Sequence, residues 1–375
     1  MAMDRLFLLM KEKQASDMFF AVNSPVHLKI NGNLIPINQQ KLDSDNIRSL
    51  LSEIVSEKDW QTLERDNELN IGIPVADIGR FRLSAFRQRG SISAVFRFVP
   101  SEIPALAELG LPAVLSELIM EKRGLILLVG ATGSGKSTTI AAMLDHRNEL
   151  RPSHILTLED PIEYLFKNKK AIINQREIGA DTTDVGTALR NSMRQAPDCL
   201  LIGEIRDREA MSAALAYAQS GHLVLATLHA NNSYNALTRI INFFPLENRA
   251  ALLQDLSSTV RAIVSQRLVR SKDGGTRTAA VEVMVNTRHI ADLIEKGEID
   301  EIKEAMEKSL SPGSQSFEQA LLQLLQEDLI TQEEALANAD SSSNLLWLIN
   351  SGVKAGAKAD PKPGDDSFNA FTLKV

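Results

Sequence analysis

One cysteine in 375 residues is too few for a disulfide framework or a four-cysteine zinc site. It is Cys199, inside the apolar run Cys199-Leu200-Leu201-Ile202-Gly203, where a thiol reads as part of a buried strand rather than as a reactive group. No apolar run reaches the roughly 20 residues of a membrane-spanning helix. The opening stretch, Met1 to Lys13, mixes charges into an amphipathic pattern unlike a secretory signal, so the chain reads as cytosolic. Positive charge is not in excess either: 41 Lys and Arg stand against 48 Asp and Glu, a formal net charge of −7. That balance argues against a broad electrostatic grip on DNA or RNA, and no nucleic-acid partner is expected. Internal repeats are also missing. What remains, 44% hydrophobic and 24% charged residues, is the composition of a globular protein of two or three domains.

Against that plain background one octapeptide stands out. Gly130-Ala131-Thr132-Gly133-Ser134-Gly135-Lys136-Ser137 fits G-x-x-x-x-G-K-[ST], with an apolar strand candidate, Leu125 to Val129, before it and a helix candidate, Ser137 to Leu144, after it. Three glycines let the backbone curl so that N–H groups and the helix N-terminus face the phosphates of ATP or GTP. Lys136 then belongs on the β and γ phosphates and Ser137 on Mg²⁺, with Thr138 completing the phosphate-binding set.

Residues 1–99 read as a small α+β domain. After the amphipathic helix, Val26 to Ile30 and Leu34 to Ile37 flank Asn31-Gly32-Asn33, which is hairpin chemistry. A helix near Asp45 to Glu57 and three strands, Leu69 to Ile73, Gly79 to Arg87 and Ser91 to Val99, follow. Residues 100–112 are proline-rich and read as a linker. From 113 the pattern becomes α/β: the apolar strands Leu125 to Val129, His154 to Leu158, Cys199 to Gly203 and Leu223 to Thr227 alternate with helical stretches, implying a largely parallel sheet covered on both faces. Residues 281–340 read as short helices, such as Arg288 to Lys296 and Phe317 to Gln326. Residues 341–375 are expected to be a disordered polar tail.

Ligands of such sheets gather at the carboxyl ends of the strands. There stand the phosphate loop, Glu159-Asp160-Pro161-Ile162-Glu163, Glu204-Ile205-Arg206-Asp207 and Leu228-His229. Hydrolysis of a γ-phosphate needs a Mg²⁺ site, a group that deprotonates or orients water, and positive charge for the transition state. Glu204 follows its strand in the manner of a Walker B acid, holding Mg²⁺ or polarising the lytic water. Glu163 is the favoured base, with Glu159 as the alternative. His229 is placed to sense phosphate. His222 lies roughly 23 Å away along a strand and on the other face, so the two histidines cannot share a metal. Arg80, Arg82, Arg87, Arg89 and Arg97 crowd the strands of the first domain. They form either a solvated basic face or, for Arg82 and Arg97, arginine fingers reaching a neighbouring subunit's nucleotide.

Taken together, the phosphate loop, the acid box Ile155 to Tyr164, the stretch Ala188 to Asp198 running into Gly203 to Asp207, and Gly221-His222 to His229-Ala230-Asn231 resemble the secretion ATPase superfamily. Within it the chain is similar to the type IV pilus retraction ATPases of the PilT/PilU kind. The resemblance implies a PAS-like N-terminal domain, a RecA-like P-loop NTPase domain with a C-terminal helical bundle, and a homo-hexamer that hydrolyses ATP with Mg²⁺. It also implies docking, peripheral to the inner membrane, onto a pilus platform protein. The single cysteine disfavours the extension ATPases, which often carry a four-cysteine zinc motif. Where the principal retraction motor has two arginines in a C-terminal helix, His289-Ile290-Ala291-Asp292-Leu293-Ile294-Glu295-Lys296 has Ala291 and Glu295. That resembles the accessory branch, which works with a sister retraction ATPase. Two other readings remain: a secretion or conjugation traffic ATPase, and a largely nonhydrolytic force-coupling ring.

Overall fold

The computed structural model describes residues 2–30, 32–76, 78–99, 102–308 and 313–352. They form thirteen strands: β1 (Asp17–Phe20), β2 (His27–Ile30), β3 (Asn33–Pro36), β4 (Glu68–Val75), β5 (Gly79–Gln88), β6 (Ser91–Val99), β7 (Gly124–Val129), β8 (His154–Glu159), β9 (Ile172–Glu177), β10 (Cys199–Ile202), β11 (Leu223–Leu228), β12 (Val260–Arg270) and β13 (Arg277–Val285). The chain divides into two compact units. One comprises Met1–Pro104 with Leu158–Lys169 and Ile173–Ala188; the other comprises Ala105–Thr157, Lys170–Ile172 and Leu189–Val375.

The first unit is built on an antiparallel sheet in the order β3-β2-β1-β6-β5-β4. Period-two alternation writes its two faces. Along β5, Phe81, Leu83 and Ala85 are buried while Arg80, Arg82 and Ser84 between them are half-buried. The inner face meets the helix Ala2–Glu12, where Phe7 stacks on Phe81 at 4.1 Å between ring centroids and meets Phe96 edge-on at 5.5 Å. Two further helices, Ser44–Ser52 and Glu57–Asp66, replace the single expected one. The cap residues Asp43 and Ser56 start them, and Ile47, Leu51, Trp60 and Leu63 join the same core. The hairpin β2–β3 has the expected place, with Ile30 opposite Asn33. Asn31 of its turn lies outside the described residues, and Gly32 adopts φ +83°, a conformation glycine enters without strain.

The second sheet runs β13-β12-β7-β11-β10-β8-β9. The pairs β10–β11, β11–β7 and β7–β12 are parallel, and β12–β13 is antiparallel. β7 and β10 are buried along their whole length, as strands covered on both faces must be. The helices Lys136–Leu150, Arg208–Gln219, Ser233–Asn242 and Arg249–Thr259 connect strands of this unit. Three expectations need correction. Residues 281–285 are strand, not the start of a helical region, because β13 pairs in register with β12 along nine residues. Leu158 to Tyr164 of the acid box group with the N-terminal unit, and Ile155 to Thr157 stay with the second unit, so the expected 113–340 domain is not one contiguous unit. The boundary between the units, Pro104/Ala105, falls inside the expected 100–112 linker, whose described part includes the short turn Leu106–Leu109. Residues 342–350 form a helix capped by Ser341, whose hydroxyl accepts from the Asn344 amide, so the polar tail does not begin at 341. The rest of the expected tail, 353–375, lies outside the described residues.

Candidate nucleotide site

The phosphate loop is shaped by two glycines pressed against β12. A Cβ on Gly130, at φ +151°, would lie 2.6 Å from the carbonyl oxygen of Gln266, and one on Gly135, at φ +90°, would lie 2.7 Å from Gln266 Nε2. A side chain at Gly130 must displace the backbone of the neighbouring strand, and one at Gly135 must displace the Gln266 side chain. Nothing lies within 4 Å of a Cβ built on Gly133, so the tip of the loop stands open. Lys136 folds back over the loop, its Nζ donating to the carbonyls of Gly130 and Ala131 at 2.8 Å each. The helix that starts at Lys136 has no side-chain cap, and its N-terminus carries the partial positive charge that favours an anion. Ser134 Oγ is buried with no hydrogen-bonding partner, a further polar atom in want of one. These features fit a phosphate group. Ala131, Thr132 and Gly133 are exposed along the rim, and Ser137 and Thr138 are half-buried at the helix start.

Across β11, which adjoins β7, and β10 beyond it the structure brings together two of the expected residues. Glu204 follows β10 and His229 follows β11. His229 Nε2 lies 3.3 Å from Glu204 Oε1, while Arg206 Nε donates to Glu204 Oε2 at 2.5 Å. Backbone ties hold the strand ends in place: the Ile205 amide donates to the Thr227 carbonyl at 2.9 Å, and Thr227 Oγ1 donates to the Gly203 carbonyl. The His229 carbonyl is fixed by Arg239 at 2.8 Å. His222, by contrast, is engaged locally, with Nδ1 2.9 Å from Ser220 Oγ. Among the described residues no group of three or more His, Cys, Asp or Glu could hold a metal by itself. A Mg²⁺ bound with a nucleotide does not need such a group, because phosphate oxygens and water supply most of its ligands; the hydroxyl of Ser137 and the carboxylate of Glu204 are chemically suited to the remainder.

Most of the chain, residues 3–335, matches the family model described as "Type II/IV secretion system protein". The "Type IV pilus ATPase PilU" of Pseudomonas aeruginosa is 45% identical over 357 residues, covering 95% of this chain and 94% of that protein. The chain belongs to the PilT/PilU family of type IV pilus retraction ATPases. The PilT of P. aeruginosa, itself described as a retraction ATPase, is 36% identical over 92% of this chain and all of its own length. A solved structure, described as that of the pilus retraction motor PilT with bound ADP, superposes with a TM-score of 0.86 at 38% identity, covering 91% of this chain and 99% of the other. The fold is thus the P-loop NTPase fold of that PilT, with an N-terminal α+β domain and a helical C-terminal region.

The other expected site residues of this PilT/PilU-family chain lie in the first unit. Glu159 is buried, and its Oε1 accepts from Gln175 Nε2 at 3.1 Å. Glu163, after the cis Asp160–Pro161 bond, is exposed. Arg82 and Arg97 stand opposite each other in the β5–β6 register. Arg97 is taken up by the buried Asp17, at 2.8 Å. Three further residues, one in the second unit and two in the first, carry no motif. Gln266 packs against the phosphate loop and accepts from Thr139 Oγ1 at 2.8 Å. Arg80 and Glu177 form an ion pair of 2.6 Å, with only 16% and 6% of their side chains exposed. The one signal available in the sequence was a polar residue between apolar runs, as Gln266 is between Ala262-Ile263-Val264 and Leu268-Val269.

Proposed function

We propose that this chain is a hexameric ATP-hydrolysing motor that powers type IV pilus retraction, acting as an accessory to a sister retraction ATPase. The observation that carries the proposal is the arrangement on three adjacent parallel strands: the phosphate loop after β7, and a carboxylate and an imidazole, Glu204 and His229, paired at 3.3 Å after β10 and β11. In this reading the loop amides and Lys136 bind the β and γ phosphates, and Ser137 with Glu204 holds Mg²⁺, which would supply charge neutralisation on the phosphate oxygens. Glu163 is the general base. Its exposure favours it over Glu159, whose carboxylate is already committed to Gln175. His229 reports the γ-phosphate to Glu204, so that the state of the nucleotide changes the His229–Glu204–Arg206 chain. Arg82, half-buried on the arginine-bearing face of β5, and Arg97, whose side chain is 65% exposed and must leave Asp17 to do so, reach the nucleotide of a neighbouring subunit.

The accessory role is supported by the helix Arg288–Lys296. Ile290, Leu293 and Ile294 are buried, whereas the two positions that differ from the principal motor, Ala291 and Glu295, are half-buried and exposed. The substitutions therefore leave packing intact and change what the helix presents. The N-terminal sheet, with its first and last strands side by side at the centre, supports the PAS-like assignment. No helix among the described residues is long and apolar enough to cross a membrane, so attachment to the inner membrane is assigned to docking, from the cytoplasmic side, on the pilus platform protein. The test is ATP turnover by the purified hexamer beside its Lys136→Ala variant. Turnover is expected in the first and not in the second; a hexamer that binds ATP without hydrolysing it would make the protein a coupling ring instead.

A further inference from the structure

The loop that carries Glu163 is pegged on both sides by one strand. Gln175 and Glu177 are two residues apart on β9 and therefore share a face. Glu177 Oε2 accepts from the Ile162 amide at 3.1 Å, immediately before Glu163. Gln175 Nε2 donates to the Tyr164 carbonyl at 2.8 Å, immediately after it. The same amide nitrogen holds Glu159, and Gln175 Oε1 accepts from the Phe166 amide at 3.0 Å. Backbone bonds secure the pegs themselves: the Ile178 amide donates to the Glu159 carbonyl at 2.8 Å, and the Glu177 amide donates to Asp181 Oδ2 at 2.8 Å. Glu163 is thus an exposed carboxylate on a backbone fixed at the residues before and after it.

One of these pegs is held from the N-terminal sheet. The oxygen of Glu177 that takes the Ile162 amide also takes Arg80 Nη2 from β5, at 2.6 Å. Space for that guanidinium comes from β4, where a Cβ on Gly72 would lie 2.2 Å from Arg80 Nη2. We infer that Arg80, acting through Glu177, is a positioning residue for Glu163, so that the N-terminal sheet sets the aim of the catalytic loop. A carboxylate whose negative charge is compensated by Arg80 keeps its geometry in a buried place; without that partner Glu177 must turn toward water, and the Ile162 amide loses its acceptor. Arg80 is in this view committed to its own chain rather than offered to a neighbour's nucleotide.

The inference rests on the assignment of Glu163 as the base, and the experiment separates the two. ATP turnover, nucleotide-analogue affinity and amide hydrogen exchange are measured on assembled full-length protein for Glu163→Gln, Arg80→Gln, Arg80→Lys and Gly72→Ala. Glu163→Gln is expected to lose turnover and keep binding. Arg80→Gln is expected to lower kcat by about tenfold to a hundredfold, the scale of a small misplacement of a catalytic group, with KM little changed and faster exchange at the Ile162 amide. Arg80→Lys should recover part of the loss. Gly72→Ala, which removes no charge and crowds the guanidinium, should reproduce the kcat defect in a milder form, and it decides the matter if Arg80→Gln does not fold. Wild-type kcat in Arg80→Gln, or in a folded Gly72→Ala together with Arg80→Lys, beside an inactive Glu163→Gln, would overturn the positioning role. So would a raised KM at unchanged kcat, which marks a direct contact with nucleotide. Normal turnover in Glu163→Gln would instead remove the base assignment itself.

Discussion

In the proposed site Lys136 is the residue on which nucleotide engagement depends, because the motif has no other cation to set between the β and γ phosphates. Lys136→Ala is expected to abolish ATP turnover and high-affinity binding in a correctly assembled ring, as measured by calorimetry and phosphate release. Gln266 acts at the same scale through packing. Its Nε2 side presses on Gly135 and its Oε1 takes the Thr139 hydroxyl, so Gln266→Leu strands a buried hydroxyl, a loss of about 1–3 kcal/mol. It should also loosen the phosphate loop, and the expected result is a lower melting temperature with a raised KM for ATP. Cys199 gives an independent check on the core. Burial pushes its thiol up to about 11, so at pH 8 it is protonated as well as inaccessible. A maleimide or iodoacetamide reagent should label it only after denaturant unfolds the second unit; rapid labelling of native protein would contradict the buried strand β10.

Elements differ in how plainly the sequence announced them. β7 and β10 are short continuous apolar runs ended by glycine, and β8 and β11 are apolar stretches broken by Thr157 and Thr227; their length and their alternation with helical stretches mark them as buried strands. β12 and β13 were not legible as strands because Ser265-Gln266-Arg267 and Glu282 interrupt them. Those polar groups are buried for reasons that only the partners reveal: Glu282 accepts from the Ser233 amide at 2.7 Å and from Ser265 Oγ at 2.9 Å. The helix Ser342–Asn350 escaped notice because its apolar run, Leu345 to Ile349, follows the polar stretch Asp340 to Asn344 at the head of a polar tail; Leu345 is fully buried in the C-terminal core. The phosphate loop, Glu204 and His229 could be read from local order alone. The Arg80–Glu177 pair could not, because 97 residues separate its members. The last helices are tied to β12 by Arg267, which donates to Asp340 and the Asn338 carbonyl and lies over the Phe317 ring at 3.8 Å. Burial alone would raise the Asp340 carboxyl, but hydrogen bonds from Arg267, Asn232 and Tyr234 outweigh it and hold the group below its ordinary value. A carboxyl lowered in the folded state contributes stability above its unfolded value near pH 4, and loses that contribution as pH falls through the folded one. Exchange protection in Phe317–Asn350 should therefore weaken below about pH 4, earlier than in β7 and β11; uniform loss across both regions would contradict this.

At the scale of the whole molecule, binding and hydrolysis are tasks of the site, whereas retraction needs a ring, a platform and a way to pass force between them. The altered helix Arg288–Lys296 places any deficit in that passage rather than in folding, since its apolar face is fully buried and its ends are closed by Thr287 and by Gly297 at φ +77°. Thr287→Ala should cost about 1 kcal/mol of stability and leave the kcat of the assembled ring unchanged, as judged by thermal melting beside a turnover assay. Restoring the two arginines, by Ala291→Arg with Glu295→Arg, tests the element in its cellular setting, and greater independence from the sister motor is the expected outcome. The central claim is that this chain's own ATP turnover drives pilus retraction in company with a sister motor. The most direct measurement is imaging of labelled pili in cells whose sister retraction ATPase docks but cannot hydrolyse ATP. Retraction is expected with the wild-type chain and none with Lys136→Ala; retraction that persists with Lys136→Ala, or is absent with both, would contradict it.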